Sequence, residues 1–143
     1  MSGNEGGSPT KAVPVPTPDT ARYWEATRRG ELWVQRCDGC ATAYFYPRNG
    51  CPHCSSTNVT WERVSGRARL HTYVINHRPA AGFVRGVPYA IAVVELEEGP
   101  RMMSNIVGVD ITPEALELDM ALVVDFEARG DQMVPVFRPE RTP

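Results

Sequence analysis

The chain has 143 residues and a mass of 15.8 kDa, which suits one compact domain with a small appendage and excludes a large multidomain enzyme. Fifteen basic and seventeen acidic residues leave a net charge of −2, which disfavours a protein that binds nucleic acid mainly through a basic surface. All four cysteines lie between Cys37 and Cys54, a pattern that excludes a disulfide-dense mini-protein.

The sequence contains no stretch that resembles a membrane segment or a signal peptide. The longest purely apolar run, residues 90–94, has five residues, whereas a membrane-spanning helix needs about 20. The first nine residues have neither a basic start nor an apolar stretch. We therefore expect a cytoplasmic protein without a membrane partner. In that reducing compartment, clustered cysteines indicate metal ligands before disulfides.

Residues 1–18 predict a disordered tail. Nine of these eighteen residues are glycine, proline or serine. The alternation of Pro14, Pro16 and Pro18 with other residues favours an extended, polyproline-like chain. The segment is then either a loose tail or a tether to a partner, and the composition leaves both interpretations open.

The next segment, residues 19–34, predicts a short helix and a lead-in to the cysteines. The helix spans residues 19–29, with Asp19 or Thr17 as its cap and Gly30 at its end. Tyr23, Trp24 and Thr27 fall on one side. A helix of this length is marginal alone, so we expect these aromatic side chains to pack on the protein's own core or on another subunit.

Residues 35–58 predict a metal-binding ribbon. Cys37 and Cys40 form one C-x2-C unit, Cys51 and Cys54 form a second, and ten residues separate the two units. Two such turns facing each other complete a tetrahedral zinc site, although iron in the same ligand set and a redox dithiol remain alternatives. Four thiolates leave no open position for water or substrate, which indicates a structural site.

Two further features of the ribbon complete this prediction. His53 lies between two ligands and is expected to be exposed rather than coordinating. The residues between the two cysteine pairs contain the run 44–47, Tyr-Phe-Tyr-Pro, which suits a short hairpin covering the metal.

Residues 59–139 predict a small β-barrel, so the fold class is mainly β. Short strands without alternating helices are typical of closed or half-closed barrels. A five-stranded OB-fold fits the number of strands, although the pattern alone does not exclude an SH3-like barrel. The predicted strands cover residues 59–64, 67–76, 89–96, 101–109, 122–127 and 133–137, with a helical turn at 112–116.

The barrel sequence offers no convincing catalytic set. The cysteines are all used by the metal site, and the sequence contains no nucleophilic serine motif. His71 is expected on the surface of a strand and His77 at the start of a long loop. Glu97 and Glu98 precede Gly99, which indicates a hairpin turn rather than a carboxylate pair for acid–base chemistry.

The ordered set of motifs resembles the DUF35 family over residues 19–139. That resemblance implies an N-terminal helix, a rubredoxin-like zinc ribbon and a C-terminal OB-fold. It departs from the family where Ala41 and Asp119 stand in place of usual glycines, and where the first barrel strand is entered through Gly66-Arg67-Ala68. The motifs are Tyr23-Trp24, Gly30-Glu31-Leu32, Gln35-Arg36-Cys37, the two C-x2-C units with Pro47-Arg48 between them, Trp61, Ser65-Gly66-Arg67, Pro88-Tyr89, Val94-Glu95-Leu96 and the closing run 134–139.

The resemblance also implies a role in acyl-CoA chemistry with a partner. DUF35 proteins accompany thiolase-like enzymes or MaoC-type hydratases and typically bind the CoA portion of the substrate or complete its tunnel, while the partner supplies the catalytic groups. We therefore expect a hetero-oligomer, such as α2β2, with a thiolase-like aldolase or thiolase. Within the loop 77–88, the resemblance suggests Arg78 and Arg85 for CoA phosphates and Phe83 for adenine or the partner.

Two alternatives stay open at this point. The chain is an accessory subunit of a hydratase, or it is a zinc-ribbon and OB-fold protein that binds single-stranded nucleic acid. The second alternative would use Arg67, Arg69, His71 and Tyr73 on one strand. The net charge of −2 makes nucleic acid the weaker candidate.

Overall fold

The computed structural model describes residues 11–78 and 88–140, which form one helix and eight strands. The mainly β architecture, with a helix, a cysteine ribbon and a five-stranded barrel in that order, is as predicted. The elements are α1 (Ala21–Arg28), β1 (Trp33–Cys37), β2 (Ala43–Tyr44), β3 (Val59–Arg63), β4 (Arg67–Asn76), β5 (Tyr89–Leu96), β6 (Arg101–Ile106), β7 (Ala121–Arg129) and β8 (Gln132–Pro139).

Helix α1 buries the side that the sequence predicted, but it begins differently. Its N-cap is Thr20, and no side chain caps the first turn, so the predicted cap by Asp19 or Thr17 is wrong. The backbone carbonyl of Thr17 accepts a hydrogen bond from the Ala21 amide at 2.8 Å, so the main chain satisfies this first-turn amide in place of a side-chain cap. Tyr23, Trp24 and Thr27 are buried. None of the helices in the described ranges is long and apolar enough to cross a membrane.

The ribbon is a three-stranded antiparallel sheet in the order β2-β1-β3. Strand β3, which the sequence grouped with the barrel strands, pairs along its whole length with β1. On this pair, the Arg36 guanidinium donates two hydrogen bonds to the Glu62 carboxylate, at 2.8 and 3.1 Å. The Arg36 hydrogen bond lowers the pKa of Glu62 although partial burial opposes it. The third strand of the ribbon sheet is therefore the strand that directly precedes the barrel in the chain.

The remaining strands form a closed barrel in the order β4-β5-β6-β8-β7. The first three strands make a meander, and the last strand lies between the third and the fourth, as in an OB-fold. Leu70, Val94, Leu122 and Phe137 are fully buried inside the barrel. The predicted helical turn at 112–116 is a turn in which the Leu116 amide donates to the Thr112 carbonyl at 3.0 Å, and Leu116 is buried in the same core.

Several turns place backbone in the left-handed region, and three of these positions bear on the predictions. Ala41 and Asp119, the two positions where the resembling family usually has glycine, have φ values of 64° and 68°. Gly66, which joins the ribbon to the barrel, has a φ of 85°, and a Cβ there would lie 2.5 Å from Val124 Cγ1. Only glycine satisfies both conditions at this junction.

The segment predicted as a tail is described from Lys11 onward, where it contacts the β7–β8 hairpin. The Lys11 ammonium lies 3.3 Å from a Glu127 carboxylate oxygen, and the Arg129 guanidinium donates to the Ala12 carbonyl at 3.4 Å. Val13 lies beside Gly130 at the hairpin turn. This segment therefore runs along the hairpin before the chain enters α1.

Candidate metal centre and adjacent cleft

The four cysteines converge at one end of the ribbon. Their sulfur atoms all lie within 4.8 Å of one another, with 3.5 Å between Cys37 and Cys54 and 3.6 Å between Cys40 and Cys51. Tetrahedral zinc with a Zn–S length of about 2.3 Å requires sulfur atoms about 3.8 Å apart. The donor set therefore fits a single zinc ion, and the predicted ligand residues are brought together.

Hydrogen bonds to two of these cysteines lower their pKa values and so favour metal binding. The Cys40 and Gly39 amides donate to the Cys37 sulfur, at 3.5 and 3.3 Å, and these hydrogen bonds lower the pKa of Cys37. Hydrogen bonds from the Thr42 side chain and backbone lower the pKa of Cys40 to about 6. Both effects favour the thiolate, which is the form that binds metal.

Cys54 is the cysteine whose ionisation the other three oppose. A backbone hydrogen bond from Ser56 lowers the pKa of Cys54, but the neighbouring Cys37, together with burial and the other two cysteines, raises it to about 12. Four negative charges in so small a volume repel one another, so the last thiol keeps its proton until a cation neutralises the others. Bound zinc would supply that charge and cross-link the two turns.

The surroundings of the metal site differ in part from the prediction. His53 is exposed and outside the ligand set, as predicted. The run 44–47 does not cover the metal as a unit. Only Tyr44 packs with Cys37 and Cys51, whereas the next two aromatic residues pack against α1.

These aromatic residues form one wall of an apolar cleft between α1, the ribbon and the barrel. The ring of Tyr23 lies 5.4 Å from that of Phe45 and 5.8 Å from that of Tyr46. The Trp24 indole donates a hydrogen bond to the Tyr46 hydroxyl at 3.2 Å. The cleft has a volume of about 450 Å³. A pocket of this size and chemistry can accept an apolar chain.

The opposite wall is the outer face of β5 and β6. Tyr89 and Ile91 line it together with Met103, which is 69% exposed. Its polar side chains are engaged by the fold, since Ser104 donates to the Pro135 carbonyl at 3.0 Å and Asn105 donates to the Ala90 carbonyl at 2.8 Å. The cleft therefore offers mainly apolar surface to a ligand.

Of the residues suggested for CoA, Arg78 is the one that the structure describes. Arg78 is exposed just beyond β4, and its amide donates to the Asn76 side chain at 2.9 Å. Phe83 and Arg85 lie outside the described residues. Asn76 pairs with Tyr89 across the strands, so Arg78 lies just beyond the end of β4 that borders the cleft. The cleft itself was not predicted from the sequence, although the aromatic runs 23–24 and 44–46, which supply four of its lining residues, could have indicated an aromatic surface.

The carboxylates of the β5–β6 turn bind the segment that joins the ribbon to the barrel. Glu97 accepts a hydrogen bond from the Ser65 hydroxyl at 3.2 Å, and Glu98 accepts one from the Ser65 amide at 2.9 Å. The turn is closed by the Gly99 amide, which donates to the Leu96 carbonyl. These residues form a hairpin turn, as predicted, and hold the junction between ribbon and barrel. His71 is exposed on β4, as predicted, and His77 directly follows that strand and is exposed.

Comparison with known proteins agrees with this architecture. Residues 24–60 match the family described as the ChsH2 rubredoxin-like zinc ribbon domain, and residues 61–127 match the ChsH2 C-terminal OB-fold domain. A DUF35 domain-containing scaffold protein of Methanothermobacter thermautotrophicus is 34% identical over 125 residues, which cover 86% of this chain and 84% of that protein. The chain belongs to the DUF35 family. The resemblance inferred from the sequence motifs is thereby confirmed.

Among solved structures, this DUF35 chain is similar to a chain of the Ltp2-ChsH2(DUF35) aldolase. The TM-score is 0.76 at 36% identity, and the match covers 89% of this chain and 98% of that one. A DUF35 protein of unknown function from Sulfolobus solfataricus shares the fold, with a TM-score of 0.60 at 12% identity.

Two longer relatives carry names from CoA chemistry. A probable enoyl-CoA hydratase alpha subunit of Thermomonospora curvata is 37% identical over 122 residues. The 3-oxo-4,17-pregnadiene-20-carboxyl-CoA hydratase alpha subunit of Mycobacterium tuberculosis is 33% identical over 115 residues. The matches cover 85% and 79% of this DUF35 chain but only 37% and 36% of those two proteins.

Proposed function

We propose that this DUF35 chain is a non-catalytic accessory subunit that binds acyl-CoA and completes the active site of a thiolase-like aldolase. The observation that carries the proposal is the 36% identity, over nearly the whole of both chains, to a chain of the Ltp2-ChsH2(DUF35) aldolase. The reaction would be retro-aldol cleavage of a β-hydroxyacyl-CoA, or thiolysis if the partner is a thiolase. The steroid carboxyl-CoA in the name of the mycobacterial relative supports a steroid side chain as the acyl group.

The geometry supports a division of labour between the two subunits. Within residues 11–78 and 88–140, the cysteines form one closed metal set, and Glu97 and Glu98 are bound to Ser65. We therefore assign to the partner the base that removes the β-hydroxyl proton and the groups that stabilise the thioester enolate released by C–C cleavage. Zinc would hold the ribbon against α1, so that Phe45 and Tyr46 keep their place in the cleft wall.

The contribution of this chain is to bind and orient the substrate. The apolar cleft would take the acyl or pantetheine part and exclude water from it, because its walls are aromatic and aliphatic. Arg78, Phe83 and Arg85 would contact either the CoA or the partner subunit, since Arg78 lies just beyond Asn76, which pairs with Tyr89 of the cleft wall.

A second candidate, an accessory subunit of a MaoC-like enoyl-CoA hydratase, is favoured by the names of the Thermomonospora and Mycobacterium relatives. Nucleic-acid binding has less support. Arg67 lies 3.9 Å from the Glu140 carboxylate, and the groove that it shares with Arg69 is also lined by Glu95 and Glu97. Acidic groups on this face would repel a phosphate backbone.

Co-purification of the full chain from its source cells, followed by mass spectrometry, tests the proposal. We expect a thiolase-like protein, and the reconstituted complex should cleave a β-hydroxyacyl-CoA, whereas neither subunit alone should do so. Recovery of a MaoC-like protein together with hydration of an enoyl-CoA would establish the second candidate. Recovery of nucleic acid alone, or an absence of heat when acyl-CoA is titrated into the complex, would refute the CoA role.

A further inference from the structure

A second groove, here called the ribbon-end groove, lies between the ribbon and the β5–β6 hairpin. Its volume is about 480 Å³. Among the described residues that line it, three carry basic or imidazole groups, Arg48 and His53 from the ribbon and Arg101 from the barrel, and one, Glu95, carries a carboxylate. Two arginines from different parts of the fold thus line the same space, which gives it a net positive charge.

The backbone at Arg48 is fixed while its guanidinium remains exposed. The Arg48 amide donates to the buried Gln35 side chain at 2.8 Å, and the Arg48 carbonyl accepts from the Tyr44 hydroxyl at 3.2 Å. The guanidinium itself makes a long hydrogen bond of 3.4 Å to the Tyr46 carbonyl. Such a side chain can bind an anion with little rearrangement of the main chain, because its attachment point is already ordered.

Arg101 is placed on the facing side and is only weakly engaged. Its guanidinium lies 3.9 Å from Glu95, and the two side chains are 54% and 45% exposed. Exposed pairs of this kind contribute little to stability. A phosphate, which carries more charge and offers bidentate geometry to arginine, would therefore compete effectively for this guanidinium.

The ribbon-end groove continues the apolar cleft. Phe45 lines both spaces, and along β5 the residues Tyr89 and Ile91 line the cleft while Glu95 lines the groove. Residues 89 and 95 are six positions apart on one strand, which corresponds to about 20 Å. The surface therefore forms one elongated path that is apolar at the end near Tyr89 and cationic at the ribbon end.

We propose that the ribbon-end groove binds the phosphate groups of the CoA thioester, with Arg48 and Arg101 as the anion-binding side chains and His53 as a hydrogen-bond donor. An elongated ligand with an apolar arm and several phosphates matches the path at both ends. The assignment rests on the proposed acyl-CoA function. It directs the acyl group toward Tyr89 and leaves Arg78, at that same end, to contact the partner subunit.

The test is calorimetric titration of CoA into the zinc-loaded full chain assembled with its partner. Arg48→Gln and Arg101→Gln should each weaken CoA binding about tenfold, the effect expected when one charge-assisted hydrogen bond to a phosphate is lost. Arg28→Gln, which removes the same charge from the exposed side of α1, is the matched control and should bind CoA like the wild type. Unchanged zinc content in each variant shows that the ribbon remains folded.

A competition experiment and a comparison of the variants distinguish a CoA phosphate site from a general anion site. Adenosine 3′,5′-bisphosphate should compete with CoA, whereas inorganic phosphate at the same concentration should not; equal competition would mean a general anion site and would overturn the assignment. Wild-type affinity in both Arg48→Gln and Arg101→Gln, or a loss confined to Arg78→Gln, would also overturn it. In those cases a complex that still binds CoA and cleaves its substrate leaves the proposed function intact, whereas a complex without CoA affinity refutes both.

Discussion

The barrel and the ribbon are both small β-structures, but they are stabilised in different ways. The barrel encloses a core of fully buried aliphatic and aromatic side chains, among them Leu70, Val94 and Phe137. The ribbon contributes Val34 to this core, but around its cysteines it has only a small cluster of Cys37, Cys51 and Tyr44, of which the two cysteines are candidate metal ligands. Burial of apolar surface can stabilise the barrel and the ribbon face that packs on it, whereas the cysteine end of the ribbon would depend on bound metal.

Helix α1 joins the two regions. Tyr23 packs on the rings of Phe45 and Tyr46 from the ribbon, and the helix also lies against β8 of the barrel. The cleft exists because this helix fixes the distance between them. The comparison therefore predicts three classes of variant: those that unfold the ribbon alone, those that weaken the barrel, and those that act on the helix between them.

The largest effect is expected when the metal site is broken. Cys37→Ser should lose zinc and the order of the ribbon, because free energies of structural zinc binding, about 10–16 kcal/mol in zinc-finger peptides, are coupled to folding. The barrel amide signals in a two-dimensional NMR spectrum should persist while the ribbon signals collapse. Thr57→Ala, an exposed position of the same ribbon, is the control and should keep its zinc. Unchanged metal content in Cys37→Ser would contradict the four-thiolate site.

A smaller effect is expected in the barrel core. Leu70 is fully buried, so Leu70→Ala should lower the free energy of unfolding by about 3 kcal/mol through lost contacts and a residual cavity. Val74 lies on the same strand but is 60% exposed, so Val74→Ala should change the free energy of unfolding by less than about 0.5 kcal/mol. Urea unfolding measures both. If Leu70→Ala releases zinc at native conditions, the two regions are not stabilised independently.

The smallest effect concerns Tyr23 on the joining helix and appears only in alkali. Burial, with a contribution from nearby Tyr46, raises the pKa of Tyr23 above its ordinary value. Its neutral form is therefore favoured in the folded state, and its contribution to stability is complete below pH about 10 and declines above it as the unfolded chain ionises, by about 1.4 kcal/mol per pH unit.

Tyr23→Phe should remove this decline. Urea unfolding between pH 9 and pH 11 provides the measurement, and Tyr73→Phe, from a half-buried barrel position, corrects for the loss of a hydroxyl group. A Tyr23→Phe variant whose stability falls with pH as steeply as that of the wild type would show that the phenol is not sequestered at this junction.

Much of the fold was predictable because it depends on short-range patterns. The spacing of Cys37, Cys40, Cys51 and Cys54 indicates the metal site, since each C-x2-C unit forms its turn locally. Alternation along β4 indicates a barrel strand for the same reason, and the run of β5, apolar on both faces, indicates a central strand. The helix cap was predicted wrongly because several polar residues precede α1, and the sequence does not show which main-chain carbonyl will accept the first amides.

The partner of β3 could not be predicted in this way. The segment has strand character, but the choice between the barrel and the ribbon depends on which unpaired edge lies beside it. Strand β1 offers that edge, and Glu62 meets Arg36 across the pair. The sharp turn at Gly66 then separates β3 from the barrel.

By itself, the sequence determined the cysteine ligand set, the mainly β class and the family, because these are recorded in residue types at fixed local spacing. Only the tertiary structure decided what lies between the two regions. Phe45, Tyr89 and Arg101 are distant in the chain but border one continuous path, because α1 and the Gly66 junction fix the ribbon beside β5 and β6. Such long-range placement follows from how whole elements pack, and no local pattern contains it.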